Sequence, residues 1–198
     1  MSQPFDYDPL PEGQSRLLSV NGTNSLGQFE CKLETKVLNE APEYYALSYV
    51  CGANVTTHTI KCNGQDKPIT QSVHEALTGL QRYLTGEKMP IWIDQICINQ
   101  VDVAEKEREV RHMDGIYRRA KTVLVWLGPG DEDSYQTKAI KQLLVLALAR
   151  PPYITCDTAP RLERDLSRFG LILAVGSTLI SPRSRDLTCL RWQATRRT

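Results

Sequence analysis

The chain has 198 residues, 41% of them hydrophobic and 24% charged, the balance of a water-soluble globular protein with enough apolar material for one good core. Its 24 basic residues stand against 23 acidic ones, and no long basic run occurs before the last 18 positions, so nucleic acid is not an indicated partner.

"MSQPFDYDPLPEGQSRLL" has no basic segment followed by an apolar one, so no secretory signal is expected and the protein is placed in the cytoplasm. Residues 1–43 read as a lead-in carrying short strands packed on the domain. "SRLLSV" and "FECKLETKVL" are those strands, separated by the turn "NGTNSLG". "YYALSYV", rich in aromatic and β-branched residues, is a third strand ended by Gly52. In "HTIKCNGQDKPIT", Asn63-Gly64 supplies the positive φ angles of a tight type I′ hairpin turn. The period then changes: Val73, Ala76, Leu77, Leu80 and Leu84 recur at helical spacing, with Ser72 and Glu75 in a capping-box pattern.

"IWID" is continuously apolar up to its aspartate, as expected of a strand covered on both faces. "DVAEKEREVRHMDGIYRRA" follows as a helix with Asp102 as N-cap and Glu105 three residues on. "KTVLVWLG" is another buried strand. Strand, helix, strand over residues 91–128 makes a βαβ unit with a right-handed crossover, and hence a largely parallel α/β sheet flanked by helices, with the hairpin added. Further on, "TKAIKQLLVLALA" and "RLERDLSRFG" read as helices. The last 18 residues, with five arginines, show no clear period. No apolar run approaches the roughly 20 residues that span a bilayer, so no membrane partner is expected.

The six cysteines form no CxxC pair and have no histidine at zinc-ligand spacing, so no metal is expected and the thiols read as free. Ligands of α/β sheets sit beyond the carboxyl ends of parallel strands, which is where Asp94 to Glu105 fall. A helix N-terminus there favours an anion such as phosphate. Equally, Asp102 and Glu105 are accounted for by capping, and Asp94, Asn99 and Gln100 by closing a turn. At about 100° per residue, Val103, Val110, Met113 and Tyr117 form the apolar stripe of the helix. Glu105 is then left on its flank, free to face a cleft. A Cys97 nucleophile with His74 or His112 as base has no local support, because apolar surroundings raise a thiol pKa.

Three blocks in this order, "YYALSYVCG", "IWIDQICINQVDVAEKEREVRHMDGIYRRA" and "VLVWLG", closely resemble the signature blocks of the fungal heterokaryon incompatibility (HET) domain, here assigned to residues 44–150 with a C-terminal extension over 151–198. The resemblance implies a protein of fungal non-self recognition and programmed cell death, acting as a signalling module that self-associates or binds protein partners. Through a distant relation to TIR domains it implies a TIR-like, flavodoxin-like fold. It also implies an alternative activity, NAD cleavage with release of nicotinamide. NAD would then be a substrate, with no cofactor required. On that alternative Glu105 is the catalytic carboxylate stabilising an oxocarbenium-like ribose. Asp94, Asn99, Gln100, Ser48 and Tyr49 would bind the ligand. One departure stands out: Cys51 occupies the place of the family's tryptophan, a loss that would open a cavity if the position were buried.

Overall fold

A computed structural model describes residues 5–53, 55–129, 171–175 and 178–180. The two helices expected beyond residue 130 and the arginine-rich end lie outside the described residues. The chain runs β1 (Gln14–Thr23), β2 (Phe29–Val37), β3 (Tyr45–Tyr49), β4 (Thr56–Cys62), β5 (Gln65–Thr70), α1 (Gln71–Glu87), β6 (Ile91–Trp92), α2 (Asp94–Cys97), α3 (Val103–Arg119), β7 (Thr122–Trp126), β8 (Leu171–Val175) and β9 (Thr178–Ile180). These strands form one sheet in the order β5-β4-β2-β1-β6-β3-β7-β8-β9.

The α/β character holds, but the expectation of a largely parallel sheet is corrected. Parallel pairing is confined to the run β6-β3-β7-β8 and to a short β2–β4 contact. The long ladders, β1–β2 and β4–β5, are antiparallel, as are β1–β6 and β8–β9. The reason is that the first hairpin does not lie on the sheet as an accessory. β1 bonds to β6 through Leu18 and Ile91 and so becomes a central strand. The βαβ unit is altered in one respect as well: β6 and β7 are not neighbours, since β3 lies between them and pairs in parallel with both.

Burial shows which strands are covered on both sides. Successive strand residues point to opposite faces, so the unbroken buried runs Ser15–Leu18 and Tyr45–Leu47 require packing on each. Tyr45, in register with Ile91, meets Tyr83 of α1 with ring centroids 5.2 Å apart. Trp92 points the other way and meets Tyr117 of α3 edge-on at 5.6 Å. The two long helices therefore cover opposite faces of the β6–β3 centre.

In α1 the helical spacing is realised, with Val73, Ala76, Leu77, Leu80 and Leu84 all buried. Each contributes about 1 to 3 kcal/mol of burial, least for the alanine. The capping box at Ser72 is not formed. The helix is capped two residues earlier, at Thr70, whose N–H and hydroxyl both donate to Gln95 Oε1 at 2.8 and 3.2 Å. Ser72 instead approaches Gly52, where φ is +64° and a β-carbon would sit 2.7 Å from the serine hydroxyl. The positive φ favours glycine there, and a larger residue would also have to turn the Ser72 hydroxyl aside. The Asn63-Gly64 turn has the expected positive φ values of 51° and 80°. Asn63 also bridges the Leu33 N–H and carbonyl at 3.0 Å, extending the β2–β4 contact beyond the strand end.

Candidate functional site

At the carboxyl end of β6 the quoted run "IWIDQICINQ" does not continue as a strand. It turns at Ile93 into the one-turn helix α2, closed by bonds from the Cys97 and Ile98 N–H groups to the Ile93 and Asp94 carbonyls at 2.7 and 3.1 Å. Ile96, Cys97 and Ile98 are driven inward, and Asp94, Gln95 and Asn99 remain half-buried around them.

The polar residues here largely hold one another. Asp94 Oδ1 accepts from the Tyr49 hydroxyl at 2.8 Å and from the Gln95 N–H at 2.7 Å, and the Gln100 amide donates to the Asp94 carbonyl at 2.9 Å. Burial first, and the Asp94 carboxylate next, push the Tyr49 hydroxyl well above its ordinary pKa, so it stays a proton donor. Tyr49, Asp94 and Gln100 are thus brought together. Ser48 is half-buried on β3 opposite Val125.

Asp102 caps α3 as expected, accepting from the Glu105 N–H at 3.0 Å. Glu105 is not spent on that cap. Its Oε1 accepts from Arg16 Nη1 at 2.6 Å and from the Asn99 N–H at 2.7 Å, and its Oε2 accepts from Arg16 Nη2 at 3.0 Å. The same guanidinium donates to the Cys97 carbonyl at 3.0 Å and the Asp8 carbonyl at 2.6 Å. Arg16 is 2% and Glu105 4% exposed. Burial alone would raise the Glu105 pKa, but the Arg16 hydrogen bonds, the Asn99 N–H and the arginine charge together hold it below the ordinary carboxylate range. Glu105 is therefore an ionised, buried partner of Arg16 and not a group on the helix flank facing a cleft.

The predicted face of α3 holds in part: Met113 and Tyr117 pack against the core, but Val103 and Val110, assigned to the same stripe, are 67% and 52% exposed, whereas Glu105, Glu109 and Ile116 are buried. Polar partners on β1 explain the buried glutamates. Ser15 Oγ donates to Glu109 Oε2 at 3.1 Å and accepts from Trp92 Nε1 at 3.2 Å. Burial pushes the Glu109 carboxyl up, against the pull of Ser15 and Arg108. Sequence reasoning missed Ser15 and Arg16. The available signals were an arginine inside the strand "SRLL" and two glutamates four apart, which share one helix face.

Cys97 is fully buried, receives the Ile93 N–H at 3.4 Å on its sulfur, and has its thiol pushed up to about 12 by burial. That is the setting of an inert thiol. Cys51 is exposed, so the missing tryptophan leaves no internal cavity. Among the described residues no group of three or more His, Cys, Asp or Glu side chains could hold a metal ion, and no helix is long and apolar enough to cross a membrane.

The family model described as heterokaryon incompatibility protein (HET) matches residues 44–159, the segment that holds β3, the α2 turn, α3 and β7. The chain belongs to the HET family. Among curated proteins, "heterokaryon incompatibility protein 6, OR allele" of Neurospora crassa is 36% identical, over 66% of this chain and 22% of that protein. This HET chain thus spans about a fifth of its relative's length. No solved structure matches it. Ser15 and Arg16, which hold the two buried glutamates of the HET segment, lie before the matched residues.

Proposed function

We propose that this chain is a non-catalytic signalling and interaction module of fungal heterokaryon incompatibility, acting in non-self recognition and the programmed cell death that follows it. The saturation of Glu105 carries this reading. A carboxylate that stabilises a cationic ribose must present an oxygen to it, and its charge must not already be neutralised. Both Glu105 oxygens face Arg16, and one also takes the Asn99 N–H. Such a pair organises the turn between α2 and α3 and so shapes a surface for a protein partner or a second copy of the chain. Asp94, Gln100 and Tyr49 serve the same turn through their mutual bonds.

The test is incubation of purified protein with NAD, with and without a fused oligomerising tag, while nicotinamide is followed. No release is expected in either form, whereas forced association in a fungal host is expected to cause cell death. Nicotinamide release that disappears in a Glu105→Gln protein that still unfolds cooperatively would establish the TIR-like hydrolase in place of the module.

A further inference from the structure

Residues 5–11 belong to no helix or strand, yet they are fastened to four separate parts of the fold. The Tyr7 hydroxyl donates to the Ile96 carbonyl of α2 at 2.8 Å. The Asp8 carbonyl accepts from Arg16 at 2.6 Å, and the Leu10 carbonyl from Arg108 Nη2 of α3 at 2.8 Å. The Asp6 N–H donates to Gln65 of the β4–β5 hairpin at 3.2 Å. The Tyr7 ring lies between two cations, with the Arg16 guanidinium carbon and Lys67 Nζ each 4.7 Å from its centroid, and Lys67 also sits 5.4 Å from the Phe5 ring.

Apart from Leu10, which is buried, the segment supplies two carbonyl acceptors, two donors in the Asp6 N–H and the Tyr7 hydroxyl, and two partly buried rings, while the fold supplies two cations and the matching donors and acceptors. Asp6, Asp8 and Pro9 are exposed. No ladder of backbone hydrogen bonds locks the segment in place. Leu10 is buried and the two rings pack against the core, but each polar anchor is a single hydrogen bond or cation–ring contact that water or another ligand can replace without unfolding the sheet. Beneath it lies the Arg16–Glu105 pair. Releasing the segment removes one of the guanidinium's acceptors, the Asp8 carbonyl, but leaves Glu105 and the Cys97 carbonyl in place.

We propose that residues 5–10 form a displaceable strap that covers the Arg16–Glu105 pair and the α2 turn, and that its release is the step exposing this part of the signature block to a partner. The proposal rests on the interaction-module reading for its purpose. The strap itself is tested without any partner or NAD, so the two can fail separately.

Carboxyl footprinting of the full chain with a water-soluble carbodiimide and an amine, read by mass spectrometry, measures the cover directly. In the wild type, exposed Asp102 labels while Glu105 and Glu109 do not. In Phe5→Ala/Tyr7→Ala, labelling of Glu105 is expected to rise at least tenfold while Glu109, sealed between α3 and β1, stays protected. Glu105 unlabelled in both proteins, or Glu105 and Glu109 rising together, overturns the strap, the latter because it reports general loosening. Should the double variant aggregate, Lys67→Met decides. It keeps the aromatic rings and removes one cation, and it is expected to raise Glu105 labelling severalfold; no rise overturns the proposal.

Discussion

The Tyr49 hydroxyl donates to Asp94 Oδ1 at 2.8 Å, tying together the carboxyl ends of the parallel strands β3 and β6. The first HET block is thereby fixed to the second by a side-chain bond between residues 45 positions apart. A hydrogen bond to a charged, half-buried acceptor is worth about 1.5 kcal/mol. Tyr49→Phe is expected to lower stability by that amount in urea denaturation, with the slope unchanged. Asp94→Asn retains an acceptor and is expected to cost less.

Arg16 and Glu105 make a larger claim on stability. Removing one member of a buried ion pair leaves the other charge stranded, at a cost of about 3 to 5 kcal/mol. Arg16→Met is expected to fall in that range. Arg16→Met/Glu105→Met replaces both charges with apolar groups and is expected to recover a substantial part of the loss, although the Asn99 N–H then lacks its acceptor. Urea midpoints for the two single variants and the double variant measure the coupling.

The two buried glutamates respond oppositely to pH. Glu105 has a folded pKa below its unfolded value of about 4.3, so its stabilisation is present above that pH and is lost as pH falls through the folded value. Glu109 has a raised folded pKa. Its cost is absent below about pH 4.3, sets in as pH rises toward the folded value, and is constant above it. Glu105→Gln is therefore expected to destabilise at pH 7, by a margin that shrinks below about pH 4. Glu109→Gln, which keeps an acceptor for Ser15, is expected to stabilise at pH 7, a gain that vanishes toward pH 4. Thermal midpoints across pH 3 to 8 would show the two curves diverging in opposite senses.

What could be read from the chain in advance follows a physical division. Period-based elements were legible: α1 from its leucine spacing, β3 and β7 from apolar runs, and the β4–β5 hairpin from Asn63-Gly64, because local sterics and one apolar face decide each of them. α3 as a helix was legible, and so were Met113 and Tyr117 on its inner face, but Glu105 and Glu109 beside them were not. Hydrophobic periodicity locates the buried face only when that face is apolar, and here it carries Glu105 and Glu109 with partners on β1. The α2 turn, "DQIC", begins on the last residue of "IWID" and is a single turn, too short for a helical period to show. The Arg16–Glu105 contact joins positions 89 apart and has no local signature. Sheet order was beyond reach for the same reason: nothing near residues 91–126 says that β3 inserts between β6 and β7.

Thiol reactivity is expected to separate the described cysteines cleanly. Burial pushes Cys31 and Cys97 up to about 12 and Cys62 to about 11, and all three are enclosed, whereas Cys51 is exposed. With iodoacetamide at pH 8, peptide mapping of the native protein is expected to show Cys51 alkylated within minutes and the other three at least a hundredfold more slowly. Rapid labelling of Cys97 would reopen its candidacy as a nucleophile.

The most demanding expectation concerns where the folding unit begins. The HET match starts at residue 44, yet the strand that lies against β6 is β1, and the side chains that hold Glu105 and Glu109 are Arg16 and Ser15. A piece comprising residues 44–159 would leave one edge of β6 unpaired and expose the cluster to which Leu17, Leu18, Val20 and Phe29 contribute. It would also lose the contacts that Glu105 and Glu109 make with Arg16 and Ser15, and a domain of this size is stable by only about 5 to 15 kcal/mol. Residues 44–159 are accordingly expected to lack dispersed amide resonances and to unfold without a cooperative transition, whereas the full chain retains both. Addition of a peptide covering residues 5–37 is expected to restore dispersion to the shorter piece. A cooperative transition in residues 44–159 alone would show that β1 and its arginine are dispensable to the fold.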